Sequence, residues 1–167
     1  MIAIDTNIIV YARRAELPHH RAARTLLTQL AQGATPWAIP WPCLYEYIKV
    51  VTNPRLFRPP DTLADALADV ESLVASPSVV LLGHGPEHVR HLRRAADDGH
   101  PIGGQIHDAH IVALALEHGV TELLSSDRDF RRFSTLNVRD PFGSSRAGEP
   151  RGRYRVRGRR RAAHAQP

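Results

Sequence analysis

Apolar residues open the chain, stop at a carboxylate, and resume. Met1-Ile2-Ala3-Ile4 runs into Asp5, and Ile8-Ile9-Val10 follows Asn7 at once. So short an apolar run predicts a buried strand over residues 2–5, with a helix starting near Asn7. From Pro18 to Gln32 the positions Ala22, Leu26, Leu27 and Leu30 return at helical spacing, and Gly33 closes the segment. Trp37 to Pro40 reads as a second strand. Residues 43–52 put Leu44, Tyr47, Ile48 and Val51 on one helical face. Asn53-Pro54 stops that helix, because a residue ahead of proline is pushed out of the α region. Asp61 or Thr62 is placed to cap a helix carrying Leu63, Leu67, Val70, Leu73 and Val74. "SVVLL" at 78–82 predicts a strand, Glu87 to Ala96 a helix, Gln105 to His118 a helix ended by Gly119, and "ELLS" at 122–125 a strand. Strands alternating with helices imply an α/β class built from parallel βαβ units with right-handed crossovers.

Composition narrows this further. A chain of 167 residues suits one domain with a real core. The longest unbroken apolar run, Ile111 to Leu116, is far too short to span a bilayer, and no basic patch followed by an apolar stretch opens the chain. A soluble, cytoplasmic protein with no membrane partner is the expectation. Cys43 stands alone, which allows neither an internal disulfide nor a zinc cluster of cysteine pairs.

The formal net charge of +5 is unevenly divided. Residues 143–167 hold eight arginines and one glutamate, a net of +7, while residues 1–142 hold 14 basic and 16 acidic side chains, a net of −2. The tail has almost nothing apolar to bury, so it is expected to be disordered on its own. It reads equally as an RNA- or partner-binding arm and as a solvated extension.

Four carboxylates attract notice on this framework. In a parallel sheet, residues just past the carboxyl ends of strands line the crevice where ligands bind. Asp5 ends the first strand that way and Asp127, after "ELLSS", ends the last. Asp108 falls in the first turns of a helix that is apolar nearly all round, where burial costs several kcal/mol unless a cation or hydrogen-bond donors compensate. By position alone it reads as an N-terminal residue partnered by backbone amides. Glu46 lies off the Leu44-Tyr47-Ile48-Val51 stripe with Lys49 three residues on, the spacing of a surface pair.

Taken together, the motifs resemble the PIN-domain family, in particular the VapC-type toxins of bacterial toxin–antitoxin pairs. The resemblance rests on "IDTNIIVYA" with Asp5, "YEYIKVVTNPRLF" with Glu46, "IHDAHIVALALEHG" with Asp108 and "LLSSDRDFRRF" with Asp127, in that order. It covers roughly residues 1–142 and leaves the tail outside. It implies a PIN-like three-layer α/β/α fold with a mainly parallel central sheet, followed by the basic tail at 143–167. It also implies a ribonuclease that cuts RNA phosphodiester bonds with a metal ion, acts as the toxin of its pair, associates with a small VapB-type antitoxin, and forms a homodimer.

The chemistry of the residues agrees with that implication. Four clustered carboxylates repel one another and need a cation to share a site in ionised form. All-oxygen ligation suits a hard ion, Mg²⁺ with Mn²⁺ as a substitute, which lowers the pKa of a bound water and stabilises charge on phosphate oxygens. Asp5 and Asp108 are the expected direct ligands, with Glu46 and Asp127 completing the acidic pocket. Asp129 is an understudy for Asp127. Thr6, Asn7 and Ser125 would orient these groups by hydrogen bonding, though each also suits a helix cap or strand-end turn.

Other readings compete. A haloacid-dehalogenase-like phosphatase also opens on a strand ending in Asp, but it wants a second Asp two residues later, where this chain has Asn7. A catalytically silent PIN-like module that binds RNA or protein is the other rival, and the four filled acidic positions weigh against it. His84, His88 and His91 fall at i, i+4 and i+7 if they share one helix, and His107 and His110 at i, i+3. Without a cysteine partner or an HExxH pattern, solvated helix faces are the expectation for both sets. Gly103-Gly104 reads as a helix-entry loop, and Trp37, Trp41, Tyr45 and Tyr47 as core.

Overall fold

The computed structural model describes residues 1–143. The expected arm at 143–167 lies outside the described residues apart from Gly143. Five strands, β1 (Ile2–Ile4), β2 (Trp37–Pro40), β3 (Val79–Leu82), β4 (Glu122–Leu124) and β5 (Asn137–Arg139), form one sheet in the order β3-β2-β1-β4-β5. Every pairing is parallel, with Ile2 beside both Trp37 and Glu122, and Ile4 beside Leu124. Parallel strands need crossovers, and the helices supply them: α1 (Thr6–Arg13), α2 (His20–Gln32), α3 (Trp41–Val51), α4 (Leu63–Val74), α5 (His88–Gly99) and α6 (Ile106–Glu117). The architecture is a three-layer α/β/α fold with an entirely parallel sheet.

The strand order fixes where a ligand can sit. From β1 the chain winds outward through β2 and β3, then crosses back to lay β4 on the other side of β1. That reversal makes the carboxyl ends of β1 and β4 the topological switch point, where adjacent loops part and leave a crevice. The Asp5 amide donates to the Leu124 carbonyl at 3.0 Å, so the two strand ends stay paired up to the crevice.

Local chemistry explains the helix boundaries. Asp5 is the N-cap of α1, accepting from the Thr6 amide, so the helix begins one residue before Asn7. Thr62 rather than Asp61 caps α4, accepting from the Asp65 amide at 3.1 Å. Asp61 instead meets Arg13 at 3.2 Å and the nearly buried Arg14 at 3.1 Å. The β2 residues are all buried, as befits a central strand covered on both faces. Ile4, Ile8, Ile39, Leu44, Leu114, Leu123 and Leu124 are sealed in the core. Truncating any of these aliphatic side chains to alanine would cost about 2–5 kcal/mol. Near the end of the described residues Phe142 stacks on His19 at 4.7 Å and meets Tyr11 edge-on at 5.6 Å.

Candidate active site

Asp5 is the centre of the crevice. It is 5% exposed, and its carboxylate accepts from the Thr6 amide at 2.7 Å, the Asn7 side-chain amide at 2.5 Å and the Ser125 hydroxyl at 2.7 Å. Burial pushes its pKa from 3.8 up to about 7; the bonds from Ser125 and Thr6 oppose this, while the nearby Glu46 and Asp127 charges add to it. Near neutral pH the group therefore sits between its charged and neutral forms, because burial disfavours the charge.

The supporting residues form a latch across the switch point. Asn7 Nδ2 also donates to Ser125 Oγ at 2.9 Å, and Asn7 Oδ1 accepts from the Ser126 amide at 3.3 Å. Ser125 Oγ accepts from the Asp127 amide at 3.0 Å. The start of α1 and the loop after β4 are thus tied together around one carboxylate. Asn7, at the position where the phosphatase scheme needs an acid, spends its side chain on holding Asp5 and that loop.

Glu46 departs from its surface-pair reading. It is half-buried on α3, and the Thr6 hydroxyl donates to its Oε2 at 3.0 Å. Thr6 therefore touches the pocket with both its amide, on Asp5, and its hydroxyl, on Glu46. Asp127 is half-buried and accepts from the Asp129 amide at 3.0 Å. Asp129 itself is exposed, with Arg132 at 3.8 Å, so Asp127 is the one of the two whose charge Asp5 senses. Asp108 is 4% exposed in the first turn of α6, which packs against α3 and β2. There the helix dipole favours its negative charge.

One neighbour went unread in the sequence. Cys43 is fully buried with Sγ 3.9 Å from Asp5 Oδ1, and burial followed by the Asp5 charge pushes its thiol well up. It is an inert, uncharged wall of the pocket. Trp37 and Tyr47 are core, as expected, but Trp41 stacks at 5.8 Å on Tyr45, which is 65% exposed. Gly103 and Gly104 belong to a short 3-10 turn that leads into α6, with Gly103 at φ 57°. Apart from the uncharged Cys43 thiol, the arrangement presents oxygen donors around a buried carboxyl group. A hard divalent cation fits the donor set.

Fold and site together define an α/β protein with an acidic, oxygen-donor pocket at the switch point of a parallel sheet. The chain belongs to the PIN-domain family, whose profile matches residues 2–136. Its curated relatives include ribonuclease VapC43 of Mycobacterium tuberculosis, 41% identical over 142 residues, an alignment covering 85% of this chain and 96% of the relative. Among solved structures, VapC20 of M. tuberculosis, described as a toxin cleaving the sarcin–ricin loop, superposes with a TM-score of 0.60 at 16% identity, over 84% of this chain and all of that one. VapBC-1 of nontypeable Haemophilus influenzae gives 0.60 at 23% identity, over 85% and 99% of the two chains. Among the described residues no helix is long and apolar enough to cross a membrane.

Proposed function

We propose that this chain is a divalent-metal-dependent ribonuclease and the toxin of a bacterial toxin–antitoxin pair. The observation that carries the reading is the buried Asp5 carboxyl, pushed up to about 7 with the charges of Glu46 and Asp127 beside it at the switch point. The 41% identity to a VapC ribonuclease across nearly the whole relative supports RNA as the substrate. Asp5 and Asp108 would hold Mg²⁺, or Mn²⁺ in its place. When bound, the ion supplies charge neutralisation for the pocket and for phosphate oxygens, and makes an attacking water more acidic.

The chain's own groups do the rest. Ser125 and Asn7 fix both the position and the hydrogen bonding of Asp5 Oδ2, so the carboxylate meets its ligand without reorganising. Thr6 orients Glu46 in the same way. Asp127, anchored through Ser125, adds negative charge at the mouth of the pocket and draws a cation into it. A small VapB-type antitoxin is the proposed partner and a homodimer the proposed assembly. The relevant site is cytoplasmic, where RNA is met.

The test is RNA cleavage by the intact protein in excess EDTA and after adding back Mg²⁺ or Mn²⁺, alongside Asp108→Asn. Cleavage should stop in chelator, return with either ion, and fall at least 100-fold in the variant with its fold retained. Undiminished cutting in EDTA would overturn the metal mechanism, and a fully active Asp108→Asn would remove that residue from the site.

A further inference from the structure

A second cluster stands apart from the acidic pocket, on the other side of α6. His84 in the loop after β3, His88 at the start of α5 and His110 in α6 each present a ligating ring nitrogen, and these nitrogens lie within 4.8 Å of one another. His84 Nε2 and His110 Nε2 are 2.7 Å apart, and the ring centroids of His84 and His88 are separated by 4.3 Å. Asp108 and His110 are two residues apart on one helix, about 200° around its axis, so they project to opposite sides. The imidazoles therefore face α5, not the carboxylates.

We propose that His84, His88 and His110 form a transition-metal site, of the borderline class that takes imidazole nitrogen, with Zn²⁺ as its occupant. Zinc–nitrogen bonds of about 2.0–2.1 Å in a tetrahedron place ligand nitrogens roughly 3.3–3.4 Å apart. The His84–His110 separation of 2.7 Å lies below that value, and all three nitrogens lie within 4.8 Å of one another. An ion entering here opens the His84–His110 contact by about 0.6 Å relative to its 2.7 Å, replacing one hydrogen bond by two metal–nitrogen bonds.

The surroundings match what a ligating histidine needs. Such a ring commonly gives its second nitrogen to a carboxylate, which fixes its tautomer and strengthens its donor nitrogen. His88 Nδ1 lies 3.1 Å from Glu117 Oε2, leaving Nε2 for the ion. The Glu117 side chain is only 8% exposed, and its other oxygen, Oε1, is buried with no hydrogen-bond partner among the described residues. Gly85 makes room for it: a Cβ there would lie 2.4 Å from Oε1. Glu117 follows His110 by seven residues on α6, two helical turns along the same face, so ligand and supporting carboxylate come from one rigid element. The three histidines leave a fourth coordination position for water. An ion held this way fastens the loop after β3 and the start of α5 to α6, the helix that carries Asp108.

The test uses the full chain, freed of metal by chelator and dialysis, with Co²⁺ as a spectroscopic probe for Zn²⁺. One Co²⁺ per chain should produce visible ligand-field absorption of tetrahedral strength, and one equivalent of Zn²⁺ should bleach it while excess Mg²⁺ does not. His84→Ala and His88→Ala should each lose at least 90% of the band, with circular dichroism unchanged for the exposed His84. His84→Cys should keep the ion and add a thiolate-to-cobalt charge-transfer band in the near ultraviolet. Asp5→Asn should leave the spectrum as it is. Absence of the band at one equivalent, a band that survives His84→Ala, or one that disappears in Asp5→Asn would overturn the site.

Discussion

Between acid and neutral pH the metal-free protein should lose stability through Asp5, and Asp5→Asn should lack that loss. The ordinary carboxyl value of 3.8 applies to the unfolded chain, and burial raises the folded value to about 7. Between those values the folded chain binds one more proton than the unfolded chain, so stability falls with rising pH by about 1.4 kcal/mol per unit. The stabilising protonation is complete below pH 3.8 and lost as pH rises through about 7, which is up to about 4 kcal/mol over the whole range. Asparagine never ionises and has no such component. It does lose an acceptor, since Oδ2 takes bonds from Asn7 and Ser125. That costs about 1–3 kcal/mol at every pH alike. The variant should therefore be the less stable protein in acid and the more stable one at neutral pH, the curves crossing between about pH 4.5 and 6 from these two magnitudes. Urea unfolding of both proteins in EDTA, followed by circular dichroism at several values between about pH 4.5 and 8, reads the difference directly. A difference that stays constant with pH would refute the claim that burial and neighbouring charge raise the Asp5 carboxyl to about 7.

Two further outcomes bear on function. Thr6→Val removes the 3.0 Å bond to Glu46 while keeping shape, and should slow RNA cleavage about 10-fold without unfolding, with Thr6→Ser restoring the rate; unaltered cleavage by Thr6→Val would show that Glu46 needs no such positioning. Truncation after Phe142 removes a net +7 and should flatten the salt dependence of RNA affinity by about 0.7 in log–log slope for each single-strand phosphate the tail contacts, leaving the cut position unchanged. Identical slopes for intact and truncated protein would show the tail to be a solvated bystander.

What the sequence made legible follows from which forces act locally. Buried strands and amphipathic helices announce themselves through apolar spacing, so β1 to β4 and all six helices are readable within a few residues. β5 was not: Asn137-Val138-Arg139 is a three-residue edge strand, exposed at both ends, and it takes part in the sheet through backbone pairing with β4 rather than through an apolar run. By spacing alone Glu46 looked like half of a surface pair, for a related reason. A single apolar stripe defines a buried face only when one side of a helix is covered, and α3 packs against α1, α4 and α6, so a position off the stripe still points at Thr6. The histidines failed the same way. Spacing within one helix grouped His84 and His88 with His91, yet α5 begins at His88, His84 belongs to the preceding loop, and the third ring comes from α6. Local pattern identifies elements, whereas a site assembled from several elements depends on how they pack. In α6 both levels meet. Its helix is apolar almost all round, so the buried Asp108 is not freely solvated, and two residues of helical rotation separate it from His110, which faces His84 and His88. A shift of this helix that served one group would displace the other, which makes its position the structural quantity on which both proposed sites depend.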